Sequence, residues 1–180
     1  AIIPPLSERN PDLAKSVNIE GTKNIIEDIK RSPKNPNLLF ASSVSLFGPT
    51  QALDPPRKVD DPVVISDTYT LTKSDCEELI KKAGIKYAIL RLGAANPVEI
   101  VKFDPIMFEI PLSQRIEFIH PSDVACAFAN ALEEDVWGKT FLIGGGASCQ
   151  MYYRDYLARI LDVFGLDPLP ETAFCNNKEF

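Results

Sequence analysis

Apolar positions run along the chain in two periods. Over residues 12–31, Leu13, Val17, Ile25, Ile26 and Ile29 fall at helical spacing and predict one long helix with an apolar stripe. Pro33 and Pro36 end it, because proline cannot continue a helix. Leu38-Leu39-Phe40-Ala41-Ser42 is then an apolar run of strand length without alternation, as in a strand buried on both faces. A second helix is predicted from Ser66 or Asp67, either of which can cap it, to Ala83, with Gly84 closing its end. Cys76, Ile80 and Ala83 share one face of this helix with Tyr69 and Lys73. Tyr87-Ala88-Ile89-Leu90-Arg91-Leu92 is a second strand. A helix-strand-helix-strand succession predicts an α/β fold, a parallel sheet flanked by helices, with sites at the carboxyl ends of its strands. Ser42-Ser43 and Gly93-Ala94 hold that position.

Elsewhere the pattern is more broken. Residues 6–11 read as a polar loop, and residues 48–64, with four prolines, as a long surface loop of the kind that often carries function. Residues 97–112 read as a broken helix or an irregular segment, and residues 115–119 as a short strand. Pro121 suits the first position of a helix reaching about Leu132. Residues 139–144 form another strand. A last helix is predicted over 150–164, with Tyr153, Tyr156, Leu157, Ile160, Leu161 and Phe164 on its inner side.

Length and charge narrow the partners. The 180 residues suit one substantial core, and 45% of them are hydrophobic. A net charge of -6 without a basic cluster argues against nucleic acid and anionic membranes, leaving small molecules or proteins. No apolar run has membrane-spanning length and the start lacks signal-peptide character, which predicts a cytoplasmic protein. Cys76, Cys126, Cys149 and Cys175 are dispersed and His120 is the one histidine, so no metal site is expected. A chain opening on Ala1-Ile2-Ile3-Pro4-Pro5 suggests a processed or truncated polypeptide.

Candidate chemistry centres on Tyr69 and Lys73, one helical turn apart. An ammonium beside a phenol favours the phenolate and pulls its pKa toward working pH, which suits proton transfer. The same spacing also fits an amphipathic helix whose Tyr packs and whose Lys snorkels outward. Arg91, at a strand end, can pair with a carboxylate or hold a substrate anion. His120 reads as a structural hydrogen-bonding residue, Trp137 as a packing residue, and Gly144-Gly145-Gly146 as a flexible turn, since no Lys-Ser/Thr follows it.

Four stretches together resemble the extended short-chain dehydrogenase/reductase family, which includes NAD-dependent epimerases and dehydratases of nucleotide sugars. Asn18-Ile19-Glu20-Gly21-Thr22 resembles its N-x-x-G-T helix, and Ser42-Ser43-Val44-Ser45-Leu46-Phe47-Gly48 its S-S-x-x-v-[YF]-G strand end. Tyr69 to Lys73 resembles its Y-x-x-x-K pair, and Phe118-Ile119-His120-Pro121-Ser122-Asp123-Val124 its F-[IV]-H-V-x-D-V segment. The resemblance implies a Rossmann-like sheet in which Ser43, Tyr69 and Lys73 are catalytic. It implies NAD or NADP as cofactor, touched by Tyr69, Lys73, Gly93, Ala94 and Ala95, and a small-molecule substrate met by Ser43, Ser45 and Asn96. It also implies a homodimer built on the helices of residues 12–31 and 66–83.

On this reading residues 1–180 are a single partial domain. Residues 1–95 are the catalytic half of the Rossmann-like unit, and 96–180 are mainly substrate-binding, with 115–145 returning to the sheet. The family's G-x-x-G-x-x-G turn, where a pyrophosphate sits at a helix start, does not occur in the sequence. The family's first strands are expected to be missing too, a deficit on the order of 60 or more residues at roughly 30 per βαβ unit. Gly93-Ala94-Ala95-Asn96-Pro97 lacks the family's aromatic-Gly-Pro ending, so a substrate smaller than a nucleotide sugar fits as well. The expected activity is hydride transfer at a hydroxyl-bearing or carbonyl carbon with a Tyr acid/base. The alternative is a non-catalytic scaffold of the same fold.

Overall fold

The computed structural model describes residues 1–49, 53–95 and 105–174. Its main sheet has three parallel strands, β1 (Leu38–Ser43), β2 (Tyr87–Leu92) and a later strand, Thr140–Ile143, in that order across the sheet. The register pairs Ser43 with Leu92 and Leu92 with Ile143, so the strands end level. Ser43, Gly93 and Gly144 therefore stand along one edge, where α/β sheets place their sites. In β2 the consecutive residues Ala88, Ile89, Leu90 and Arg91 are all buried, which explains its lack of polar alternation.

Helices pack on the sheet. After the single helical turn α1 (Leu6–Arg9), which replaces part of the expected polar loop, come α2 (Pro11–Lys15), a π-helical segment (Ser16–Glu20) and α3 (Gly21–Arg31). Helix α4 (Thr68–Lys82) lies beside them and ends at Ala83, with Gly84 at φ +70°. Ile26 of α3, Ile80 of α4 and Ile89 of β2 make a buried core with Leu38, Phe40 and Leu79 packed around it.

The long helix over 12–31 is thus interrupted, and its predicted inner stripe is only partly right. Leu13, Val17 and Ile25 are exposed, while Ala14, Asn18, Thr22, Ile26 and Ile29 are buried. The π turn rotates the face that follows it. The line facing α4 is then made by small and polar residues that bond across: Asn18 Nδ2 donates to Thr72 Oγ1 at 3.0 Å, and Thr22 Oγ1 donates to Cys76 Sγ at 3.3 Å.

A smaller sheet joins β3 (Ala94–Ala95), β4 (Arg115–Ile119) and a strand at Gln150–Tyr152. β4 runs parallel to β3 and antiparallel to Gln150–Tyr152. In chain order, α5 (Pro121–Glu133) follows β4, the main-sheet strand Thr140–Ile143 is β5, and Gln150–Tyr152 is β6. The last helix, α6, spans Tyr153–Val163, so residues 150–152 are strand rather than the expected helix start. Pairing with β4 satisfies their backbone groups, a stronger claim on them than the apolar periodicity beyond. Tyr153, Leu157 and Leu161 are buried as the pattern requires, whereas Phe164 is exposed. Among the described residues no helix is long and apolar enough to cross a membrane.

Candidate active site

Local bonds fix the start of α4. The Asp67 carboxylate accepts from Thr70 N at 2.7 Å while Thr70 Oγ1 accepts from Asp67 N at 3.1 Å, a reciprocal cap. Glu8 of α1 adds a second carboxylate at this positive end, accepting from Thr68 N at 3.3 Å. Burial pushes the Glu8 carboxyl up, but bonds from Thr68, Ser7 and the Tyr69 backbone outweigh it and leave the pKa below the ordinary value.

Tyr69 sits on the first turn of α4 and Lys73 on the next, both facing the end of β1. Lys73 is only 6% exposed, so it does not snorkel into water. Its Nζ donates to the Ala41 carbonyl at 2.7 Å and lies 4.8 Å from the centre of the Phe40 ring and 5.8 Å from that of Tyr69. Burial pulls the Lys73 pKa down, against the opposing influence of Cys76 and Glu77.

The expected depression of the Tyr69 pKa is not what this geometry gives. Burial pushes the phenol above its ordinary value, the Ser43 hydroxyl opposes by hydrogen bonding to it, and the Asp67 charge adds to the rise. The physical reason is where the lysine points: its charge meets ring faces and a carbonyl rather than the phenol oxygen.

Ser43 is the last residue of β1, and the turn of 3-10 helix after it (Val44–Phe47) folds Ser45 back. Ser45 donates to Ser43 Oγ through its backbone N at 3.2 Å and its own Oγ at 2.8 Å. Ser43, Ser45, Tyr69 and Lys73 are therefore brought together. One strand over, Gly93 N donates to the Ile143 carbonyl at 2.8 Å, and a Cβ on Gly93 would come within 3.2 Å of the Glu117 carbonyl. Ala94 and Ala95 are exposed and pair with Phe118 and Ile119. Asn96 lies outside the described residues.

Arg91, for which two roles were open, pairs with a carboxylate. Its Nε and Nη2 donate to the two oxygens of Glu77 at 2.9 and 2.8 Å, and both residues are buried. Ser42 Oγ donates to the same Glu77 at 2.7 Å, and Arg91 Nη1 reaches the Val59 carbonyl at 3.1 Å. Burial raises the Glu77 pKa, but the bonds from Arg91 and Ser42 and the Arg91 charge outweigh it and hold the carboxyl below its ordinary range. Sequence reasoning did not single out Glu77. The available sign was its place on the line Tyr69, Lys73, Glu77, four residues apart, where a carboxylate on a packed face requires a partner. His120 caps α5, its Nδ1 accepting from Ser122 N at 3.2 Å.

The model of the NAD dependent epimerase/dehydratase family matches residues 3–98, more than half of the chain. The chain belongs to that family. No curated protein matches it. Solved structures of similar fold include a UDP-N-acetylglucosamine 4-epimerase from Methanobrevibacter ruminantium (18% identity, TM-score 0.73), in which 91% of this chain covers 57% of the other. A Thermus thermophilus UDP-glucose 4-epimerase in complex with NAD has 20% identity and TM-score 0.73, with coverage of 91% and 59%. RMD from Pseudomonas aeruginosa, complexed with NADPH, has 17% identity and TM-score 0.78, with coverage of 93% and 63%. This member of the family thus spans about three-fifths of the length of these structures, and at such identities the likeness is one of fold: a Rossmann-like parallel sheet flanked by helices.

Proposed function

We propose that the chain is the acid/base and substrate-facing portion of an NAD(P)-dependent enzyme that acts on a hydroxyl-bearing carbon of a nucleotide sugar or a smaller alcohol. The observation that carries this reading is the meeting of the Ser43 hydroxyl, the Tyr69 phenol and the buried Lys73 ammonium at the carboxyl end of β1. Its residues suit the nicotinamide-ribose end of the cofactor, with Tyr69, Lys73 and the backbone of Gly93 to Ala95 along one edge. A glycine turn for the pyrophosphate does not occur in these 180 residues. When bound, the nicotinamide supplies the hydride acceptor and donor.

Each residue then has a task. Ser43 and Ser45 hold the substrate oxygen by hydrogen bonds. Tyr69 exchanges the proton of that oxygen, giving it up when a carbonyl is reduced and taking it when the alcohol is oxidised. With its pKa raised by burial, Tyr69 is in the donor form at neutral pH, so oxidation gains rate as pH rises toward its titration while reduction does not need the rise. Lys73, whose ammonium is held by the Ala41 carbonyl and lies over the Phe40 and Tyr69 rings, would hold ribose hydroxyls.

The outer groove between the π segment and α3 on one side and α4 on the other is lined by Ile19, Lys23, Asp75, Glu78, Leu79 and Lys82, apolar and charged of both signs. Such a surface can meet its own copy across a two-fold axis, and we assign the homodimer contact to it. The free thiols of Cys76, Cys126 and Cys149 accord with a cytoplasmic setting.

The test is Tyr69→Phe in the native polypeptide, assayed with NAD(H) and NADP(H) on nucleotide sugars and simple alcohols. Turnover should fall at least about 100-fold, as loss of a general acid/base requires, with cofactor affinity retained. Undiminished turnover rejects the acid/base assignment. Binding of neither dinucleotide rejects the enzyme and leaves the scaffold.

A further inference from the structure

Resting on that reading, we propose that Ser42, Glu77 and Arg91 are positioning residues, a buried clamp that sets the register of α4 along β1 and thereby the approach of Tyr69 to Ser43. Three consecutive β1 residues each engage one α4 residue of a single line. The Ala41 carbonyl accepts from Lys73 at 2.7 Å, the Ser42 hydroxyl donates to Glu77 at 2.7 Å, and the Ser43 hydroxyl faces Tyr69. Lys73 and Glu77 are one turn apart, so the two bonds fix both the height of the helix and its rotation about its axis.

The Glu77 end is the rigid one. Its carboxylate is held in the bidentate fork of Arg91, and Arg91 is itself held by three other elements: its place in β2, the Val59 carbonyl, and the Phe47 ring 5.3 Å from its guanidinium carbon. Phe47 belongs to the turn that folds Ser45 onto Ser43. One guanidinium therefore ties together both sides of the candidate site, the loop between them and the strand beneath. None of Ser42, Glu77 or Arg91 is exposed enough to meet a substrate, each being 3% exposed or less.

The experiment reads position through the Tyr69 phenol. Carbon-13 tyrosine labelling follows its titration by NMR, assigned with Tyr69→Phe, in the parent, Ser42→Ala and Ser42→Thr, with denaturant stability measured alongside. The charged groups facing Tyr69, Asp67 from the cap and Lys73 from the next turn, are the same in all three. A looser register weakens the Ser43 bond, so in Ser42→Ala the titration midpoint should rise by about 0.5, roughly a threefold change in ionisation constant. Ser42→Thr keeps the hydroxyl and should titrate as the parent does. A merely structural serine would lower stability and leave the midpoint unmoved, and an unmoved midpoint in folded Ser42→Ala overturns the proposal. If Ser42→Ala does not fold, Ser42→Cys, a near-isosteric weaker donor, takes its place, with a smaller rise expected and an unchanged midpoint again overturning it. Because this readout needs no turnover, its failure is separate from that of the proposed activity, which shows as undiminished turnover in Tyr69→Phe.

Discussion

Replacing Glu77 by alanine leaves Arg91 buried with a guanidinium that retains only the Val59 carbonyl and the Phe47 ring, and strands the hydroxyl of Ser42. Three charge-assisted bonds from buried donors are lost at once, those from Ser42 Oγ, Arg91 Nε and Arg91 Nη2. The bond from Lys81, which is 34% exposed, adds little because water screens it. Removing one partner of a buried pair costs about 3–5 kcal/mol, a large part of the roughly 5–15 kcal/mol that holds a typical domain together. With a urea m-value of about 1–3 kcal/mol/M, the midpoint should fall by roughly 2 M. The double variant Glu77→Leu, Arg91→Met removes both charges and should cost less than the sum of the two single changes by at least about 1 kcal/mol. The pair also has an acid signature. A carboxyl held below its unfolded value lends stability that is present above the unfolded pKa and is lost as pH falls through the folded one. That loss should be shallower in the Glu77→Ala protein. Equilibrium unfolding of the two singles and the double at neutral and acidic pH decides the matter: single costs under about 1 kcal/mol, or strictly additive ones, would refute the reasoning.

Other positions give independent checks. Tyr153 is buried, donates to the Met107 carbonyl at 3.0 Å, and has its pKa pushed up to about 12 by burial; the stability it lends is whole below pH 10 and is lost as pH rises toward 12, a fall of about 1–3 kcal/mol that Tyr153→Phe should lack in alkaline unfolding curves. A Cβ on Gly145 would meet the Phe118 carbonyl at 2.3 Å, while one on Gly146 meets open space and only the strain of φ +78°; Gly145→Ala should lower thermal stability well beyond the roughly 1 kcal/mol of Gly146→Ala. Asn18 accepts from Ile2 N at 2.7 Å and donates to the Ile2 carbonyl and to Thr72, each at 3.0 Å; Asn18→Leu should cost about 2–3 kcal/mol and speed amide exchange at residues 1–3, and unchanged exchange there would count against the tie.

How far the sequence could be read follows from which forces are local. The cap at Asp67, the stop at Gly84, the apolar runs of β1 and β2 and the start of α5 at Pro121 depend on neighbours within a turn, and each stands where periodicity and turn chemistry put it. The buried line through Asn18 and Thr22 was illegible because a π turn breaks the period and because the contacts across to α4 are polar, 54 residues away in the chain. Strand β6 was likewise hidden, since a short segment with helical periodicity was claimed by the open edge of β4. At the site, the pairing of Tyr69 with Lys73 on one helix face was legible, whereas the direction of the Tyr69 shift was not. Burial and the aim of the Lys73 amine decide it, and neither is a property of spacing.

The same distinction explains why the buried charges lie where they do. An apolar contact between α4 and β1 would gain as much free energy in several neighbouring registers, because burial is non-directional. Hydrogen bonds to a carboxylate are not so tolerant: a slip of one residue turns Glu77 by about 100° away from the Arg91 fork. A pair that contributes little net stability compared with apolar residues of the same volume can still exclude the wrong register, since every alternative strands a buried charge. On that account the Glu77→Leu, Arg91→Met protein can approach the parent in unfolding free energy and yet spread the Tyr69 phenol over several environments. Its carbon-13 resonance should broaden or split, and a single sharp Tyr69 line titrating as in the parent would show that packing alone holds the register.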